Sequence, residues 1–348
     1  MELLNKLPYP TGMKKDEIFD LLLREEYGYF PPRPDSVSVT VENPGMSNFA
    51  GKGYLQKLAL TIKASFGEFT FPVYYVYPHR IKAPVPAFIH MNFRDNVPDF
   101  YQPTEEILDR GFAVFTFCYK DVTSDDGDFT NGLAGVLFPE GKRKSDDSGK
   151  LALWAYAASA VLEYALTLPE IDHGKISVVG HSRLGKTALL AGAYDERFYC
   201  AFSNDSGCGG AALARENTGE TIRDIASKRF PFWFCENYLK YIDNEDSLPF
   251  DQHYLIAANI AHKAYVASAE EDLWACPKNE YLSCVAASRY FEENGKVGFI
   301  HPDRLPEIRE LLHAGNIGYH IRQGTHFLSR EDWNYYMDYL ETQFKKDC

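Results

Sequence analysis

Apolar and polar positions change their spacing as the chain proceeds, and each change marks a different kind of element. Residues 15–26 read as a short helix, closed by the proline-rich turn at 29–35 (YFPPRPD). Two runs then alternate residue by residue, LALTIKA at 58–64 and FTFPVYYVY at 69–77. Joined by Ser65, Phe66 and Gly67, they predict an antiparallel pair of strands. After that, strand and helix patterns take turns. APVPAFIHMNF (83–93) is a strand, 104–110 a helix, FAVFTFC (112–118) a strand, and 151–167 a strongly helical stretch ended by Pro169. A long polar loop, DVTSDDGDFTNG, separates the last two. Further strands are expected at 175–179, 200–205, 264–271 and 316–324, with a closing helix at 330–344. Residues 206–263 interrupt the alternation and are too long for a simple strand-to-helix connection, so they read as a substrate-shaping insertion. An antiparallel start followed by alternation predicts one α/β domain over 1–348. Its central sheet is mostly parallel and flanked by helices, a three-layer sandwich.

The chemistry concentrates in residues 175–186, KISVVGHSRLGK. A buried strand runs into Gly180, a serine sits at the apex of a turn, and the helical pattern TALLAGAYDERF follows. This is the layout of a nucleophile elbow and makes the expected architecture an α/β-hydrolase fold. It places the Ser182 hydroxyl at a helix N-terminus, where free N–H groups and the dipole favour a developing oxyanion. The match to G-x-S-x-G is imperfect, because position 184 is Leu and the second glycine falls at 185.

A serine hydroxyl needs a base, and the base needs an acid to fix its tautomer. In this fold the order along the chain is serine, acid, histidine. His326, in the loop GTHF after the last strand, fits the base, whereas His320 inside that strand and His181 beside the serine read as structural. Asp272 is the favoured acid, with Asp205 and Glu271 as alternatives and both aspartates around one imidazole a further option. Glycines of the HGGG oxyanion type are absent, the corresponding loop being HMNFRDN. Arg183 offers a backbone N–H and a five-donor guanidinium instead, and Lys186 lies one helical turn on. Two cations beside the serine suggest an electron-rich acyl group such as a hydroxylated sugar, against the plainer reading of helix-surface charge.

Composition narrows the partners. A net charge of −13 over 348 residues, without a basic stripe, speaks against nucleic acid and anionic membrane surfaces. The first twenty residues lack the apolar core of a signal peptide and no 18-residue apolar run occurs, so a soluble, cytoplasmic chain is expected. Seven cysteines without C-x-x-C spacing point to reduced thiols. With no H-E-x-x-H motif and no zinc-type cluster, no metal and no cofactor are expected.

The motif GHSRLGK resembles the G-x-S-R-x-G-K elbow of glucuronoyl esterases, carbohydrate esterase family 15. The resemblance extends through SNDSGCGGAALAR, GET, FPFWFCENY, VASAEEDLWA and GYHIRQGTHF, roughly residues 85–340. It implies a cofactor-free enzyme that cleaves the ester between 4-O-methyl-glucuronic acid of xylan and lignin alcohols. It further implies Ser182 as nucleophile, His326 as base and Arg183 as oxyanion residue, with Lys186, Glu220 and Trp274 holding the sugar. The family's acid occupies one of two positions, matching Asp205 and Asp272. Fungal members carry Glu at the first, one methylene longer than Asp205, which favours Asp272. The expected partner is a glucuronoxylan-derived ester, met by a monomer or weak oligomer. Two rival readings are an acetyl (xylan) esterase and a non-catalytic carbohydrate-binding relative.

Overall fold

The computed structural model describes residues 2–347. A helix, α1 (Lys15–Leu22), precedes three long strands: β1 (Ser36–Asn48), β2 (Gly53–Ala64) and β3 (Gly67–Pro78). Next come β4 (Val85–Asn92), α2 (Thr104–Asp109), β5 (Ala113–Cys118) and the helices α3 (Tyr119–Val122), α4 (Gly132–Leu137) and α5 (Lys150–Ala165). The elbow region is β6 (Ile171–His181), α6 (Arg183–Tyr194) and β7 (Cys200–Asn204). The chain closes with α7 (His253–Ala257), β8 (Lys263–Ala269), α8 (Pro277–Glu293), β9 (Leu311–Leu312), β10 (Ile317–Arg322) and α9 (Arg330–Lys346).

The ten strands among the described residues belong to one sheet, in the order β1-β2-β3-β5-β4-β6-β7-β8-β10-β9. The first three pair antiparallel and join β5 antiparallel. From β5 to β10 every pair is parallel. Successive side chains of a strand point to opposite faces, and here each face has its own core. Phe88, Val114, Val179 and Phe202 pack with Ile107, Trp333 and Tyr336 of α2 and α9. Their neighbours Ile89, Phe115, Val178 and Ala201 join Leu153, Leu189 and Leu282 of α5, α6 and α8. Strands buried on both faces explain the continuous apolar runs, and the result is the three-layer α/β-hydrolase arrangement.

Two of the long elements lie outside the sequence expectation. β1 carries the alternation SVSVTV, but it is the sheet edge; Val37 and Val39 are half-buried and Val41 is exposed. Helix α8 buries Asn279, Glu280 and Ser283 on its inner side, which blurs its apolar stripe. Residues 206–262, up to the start of β8, contain short helical turns and no strand, and Trp233, Phe234, Tyr238 and Phe250 from this stretch belong to the main core. The insertion is thus packed into the domain. Among the described residues six cysteines are free thiols, and no helix is long and apolar enough to cross a membrane.

Candidate active site

Ser182 sits between β6 and α6 with φ 58° and ψ −127°, a conformation that side-chain-bearing residues avoid. Its N–H is fixed by the Asn204 carbonyl of the adjacent strand at 2.8 Å. The displaced glycine has a steric origin. A Cβ at Gly185 would come 2.9 Å from the Asn204 carbonyl oxygen, because this face of α6 lies against β7. Leu184 instead is fully buried in the core. Gly180 is needed too, since a side chain there would run into the Leu184 carbonyl.

The strands around β6 deliver the remaining groups at their carboxyl ends. His326 follows β10, and its Nδ1 donates to Asp272 Oδ2 at 2.5 Å, in the turn after β8. Asp272 is buried, whereas the imidazole is 41% exposed. With Nδ1 carrying the proton, Nε2 is left as an acceptor. The GTHF loop is pinned by Arg322, which donates from Nη2 to the carbonyls of Thr325 (3.1 Å) and Phe327. Arg322 is itself anchored by Asp332, 2.8 Å from its Nε.

Asp205 does not take the acid position beside His326. Its Oδ2 accepts from Arg322 Nη2 at 3.3 Å and from the Phe327 N–H at 3.4 Å. Oδ1 is buried without a hydrogen-bond partner. Burial, with Asp332 and Glu280 nearby, pushes its carboxyl well above the usual range. Asp205, Asp272 and His326 each present a ligand atom within 4.8 Å of the others, a spacing that could suit a cation. The 2.5 Å between Nδ1 and Oδ2 argues otherwise. Two donors on one metal at about 2 Å each stand roughly 3 Å apart, so this contact is a hydrogen bond. His320 donates from Nε2 to the Asp332 carboxylate, shares a hydrogen bond between Nδ1 and the Tyr265 hydroxyl, and is structural. His181 is buried against Asn204 and lies 4.3 Å from the His326 ring; burial, then His326, holds its pKa down at about 3.

Both cations near the serine are committed. Arg183 Nη1 donates to Asp125, and its guanidinium lies 4.7 Å from the Trp233 ring centroid. Its Nε is buried without a partner. Lys186 is buried and donates to the carbonyls of Ser206 (2.5 Å) and Cys208 and to Glu220 Oε2 (2.7 Å). The other Glu220 oxygen accepts from Trp274 Nε1 at 3.2 Å. Lys186, Glu220 and Trp274 thus form one hydrogen-bonded wall. Ser182, Arg183, His326 and that wall line a cavity of about 160 Å³. Two larger surface grooves, about 570 and 590 Å³, contain none of these residues. A strained serine, an imidazole oriented by a carboxylate and a fixed guanidinium in one cavity form equipment for acyl transfer.

A family described as "Glucuronyl esterase, fungi" matches residues 60–295. The chain belongs to the glucuronyl esterase family. Within it, a carbohydrate esterase from an unknown prokaryotic organism is 39% identical over 239 residues, 68% of this chain and 55% of the relative. A 4-O-methyl-glucuronoyl methylesterase of Podospora anserina is 28% identical over 287 residues, 79% of this chain and 54% of the relative. The chain spans about half the length of these curated relatives. A solved glucuronoyl esterase from Solibacter usitatus superposes with a TM-score of 0.84 at 30% identity, covering 96% of this chain and 93% of that one.

Three residues of this glucuronyl esterase-family site escape a reading of the sequence. Asp125 lies in the polar loop after β5 among three other aspartates, and nothing in DVTSDDGDFTNG singles it out. Arg322 looks like an ordinary strand-end charge. Trp233 stands in FPFWFCENY, but its role under Arg183 emerges only from the fold.

Proposed function

We propose that this chain is a serine ester hydrolase that cleaves the ester of a glucuronic acid, methylated or not at O4, in glucuronoxylan-derived material. The relatives' printed activities support the reading. The observation that carries it is the His326–Asp272 hydrogen bond in the same cavity as Ser182 and the Lys186–Glu220–Trp274 wall. Ser182 Oγ attacks the ester carbonyl, and His326 Nε2 takes its proton. Asp272 stabilises the imidazolium that forms. Charge on the carbonyl oxygen is met by Arg183 and by N–H groups at the start of α6, one such donor being worth on the order of 3 kcal/mol in the transition state. The tetrahedral intermediate collapses by breaking the bond to the alcohol oxygen, which receives the proton from His326. Water then repeats the cycle on the acyl-enzyme and releases the uronic acid.

The acetyl esterase alternative puts the sugar on the leaving-group side and draws no support from the relatives' names. The test compares methyl glucuronate with 4-nitrophenyl acetate. A higher kcat/KM on the glucuronate ester is expected; a clear preference for the acetate would replace this reading with the alternative.

A further inference from the structure

One charged group in the cavity wall has no internal task. Arg229 lines the cavity with Ser182, His326 and Trp274. Its guanidinium lies over the Trp274 indole, 4.9 Å from the ring centroid. It is exposed, at the end of a helical turn (Asp224–Arg229) within the insertion. The other two cations of this cavity are tied to carboxylates, Arg183 to Asp125 and Lys186 to Glu220. Arg229 is not. Both oxygens of Glu220 are already taken by Lys186 and Trp274. A guanidinium held over an aromatic ring keeps its N–H edges free and is more weakly hydrated than an ammonium, which suits it to oxygen acceptors. The next residue, Phe230, stacks on Trp233 at 3.9 Å and 2°, so the turn that presents Arg229 is anchored.

We infer that Arg229 is a specificity-determining residue that binds oxygen substituents of the sugar ring beside Trp274. This rests on the reading of the cavity as a site for a sugar acid ester. The ester carbonyl lies at Ser182 and the ring at the Lys186–Glu220–Trp274 wall, so Arg229 serves the sugar and not the reacting carbonyl. An ester without a sugar cannot use it. One charge-assisted hydrogen bond at a partly exposed site corresponds to about a tenfold change in affinity.

The test is calorimetric binding of methyl glucuronate to the Ser182→Ala protein, with and without Arg229→Ala. About tenfold weaker binding is expected, and a smaller loss with Arg229→Lys, which keeps the charge but not the fork. A dissociation constant unchanged within about twofold would overturn the proposal. With Ser182 intact, Arg229→Ala should raise KM for methyl glucuronate about tenfold at nearly constant kcat, so that the selectivity over 4-nitrophenyl acetate falls. An equal loss on both esters would also overturn it. If Arg229-dependent binding persists in a protein that never hydrolyses methyl glucuronate, the proposed reaction fails and the sugar subsite stands. If the Ser182→Ala protein binds no methyl glucuronate, both fail.

Discussion

Asp125 holds Arg183 in place. One oxygen of its carboxylate accepts from Arg183 Nη1 and from the Tyr119 hydroxyl, at 2.8 Å for the latter, and the other accepts from Trp233 Nε1 at 2.8 Å. The carboxylate is therefore fixed from three directions and hands that rigidity to the guanidinium. Preorganised donors stabilise a transition state because no reorganisation is needed when charge develops.

Asp125→Asn keeps the shape of the side chain but loses the ion pair, leaving Arg183 free to wander. We expect kcat to fall by about 10- to 100-fold with KM changed by less than about threefold, a smaller loss than Arg183→Ala, where the donor is gone altogether. Steady-state kinetics on methyl glucuronate decides this. Unchanged kcat would show that the aromatic faces around Arg183 suffice to position it.

The two candidate acids separate in the same assay. Asp272→Asn leaves His326 Nδ1 facing an amide that cannot hold the required tautomer or balance its charge, and kcat should drop by about 10³- to 10⁴-fold. Asp205 is bonded to Arg322 and its burial favours the neutral form, which asparagine resembles. Asp205→Asn should stay within about tenfold of wild type. If the order of the two variants is reversed, Asp205 is the acid and the 2.5 Å contact of Asp272 is only structural.

The elbow and the base are legible in the chain because each follows a regular element whose pattern is strong, whereas Glu220 and Trp274 are reached only through the family resemblance. Ser182 closes an apolar strand, His326 follows GYHIRQ, and Asp272 follows the run AYVASA. The choice between Asp205 and Asp272 stays open at that level. Both follow parallel strands of the same sheet, and the fold separates them by bonding Asp272 to His326 and Asp205 to Arg322. Asp125 is invisible for a different reason. It comes from a loop whose conformation depends on Lys150, buried and bonded to Thr123 and the Asp128 carbonyl. Local sequence carries no signal for such a long-range anchor. The charges of Arg183 and Lys186 are correctly located near the serine, yet their pairing with Asp125 and Glu220 spans 58 and 34 residues.

Lys186 and Glu220 form a buried ion pair whose value is asymmetric. Removing one partner strands a charge in the interior, so Lys186→Met or Glu220→Gln should each destabilise the fold by about 3–5 kcal/mol. The double variant should recover part of that loss, because neither charge is then left alone. Urea unfolding of the four proteins measures the coupling. Strictly additive single losses would show that the pair is not energetically linked. None of these variants should bind methyl glucuronate as wild type does, since the wall also positions Trp274.

Glu280 gives a dependence of stability on pH whose sign can be worked out. It is fully buried and accepts from the N–H groups of Ser206 (2.8 Å) and Gly207 (3.0 Å) and from Ser268 Oγ (2.6 Å). Burial outweighs these bonds and pushes its pKa up to about 7, from an ordinary value of 4.5. Below pH 4.5 both folded and unfolded chains are protonated here and the group is neutral in its effect. Between 4.5 and about 7 the unfolded chain has lost a proton that the folded chain keeps, so stability falls as pH rises; above about 7 the loss is complete. Glu26, buried and raised to about 8, extends the same trend. His90 and His253, whose pKa values burial lowers to about 4, act oppositely, adding stability as pH rises toward 6.5. The absolute profile therefore mixes signs, and the informative quantity is the difference between wild type and Glu280→Gln. Denaturant unfolding should show the glutamine variant gaining on wild type from pH 5 to pH 7.5. A difference that stays constant across this range would mean that Glu280 is ionised throughout, held by the two backbone N–H groups at the rim of the catalytic cavity.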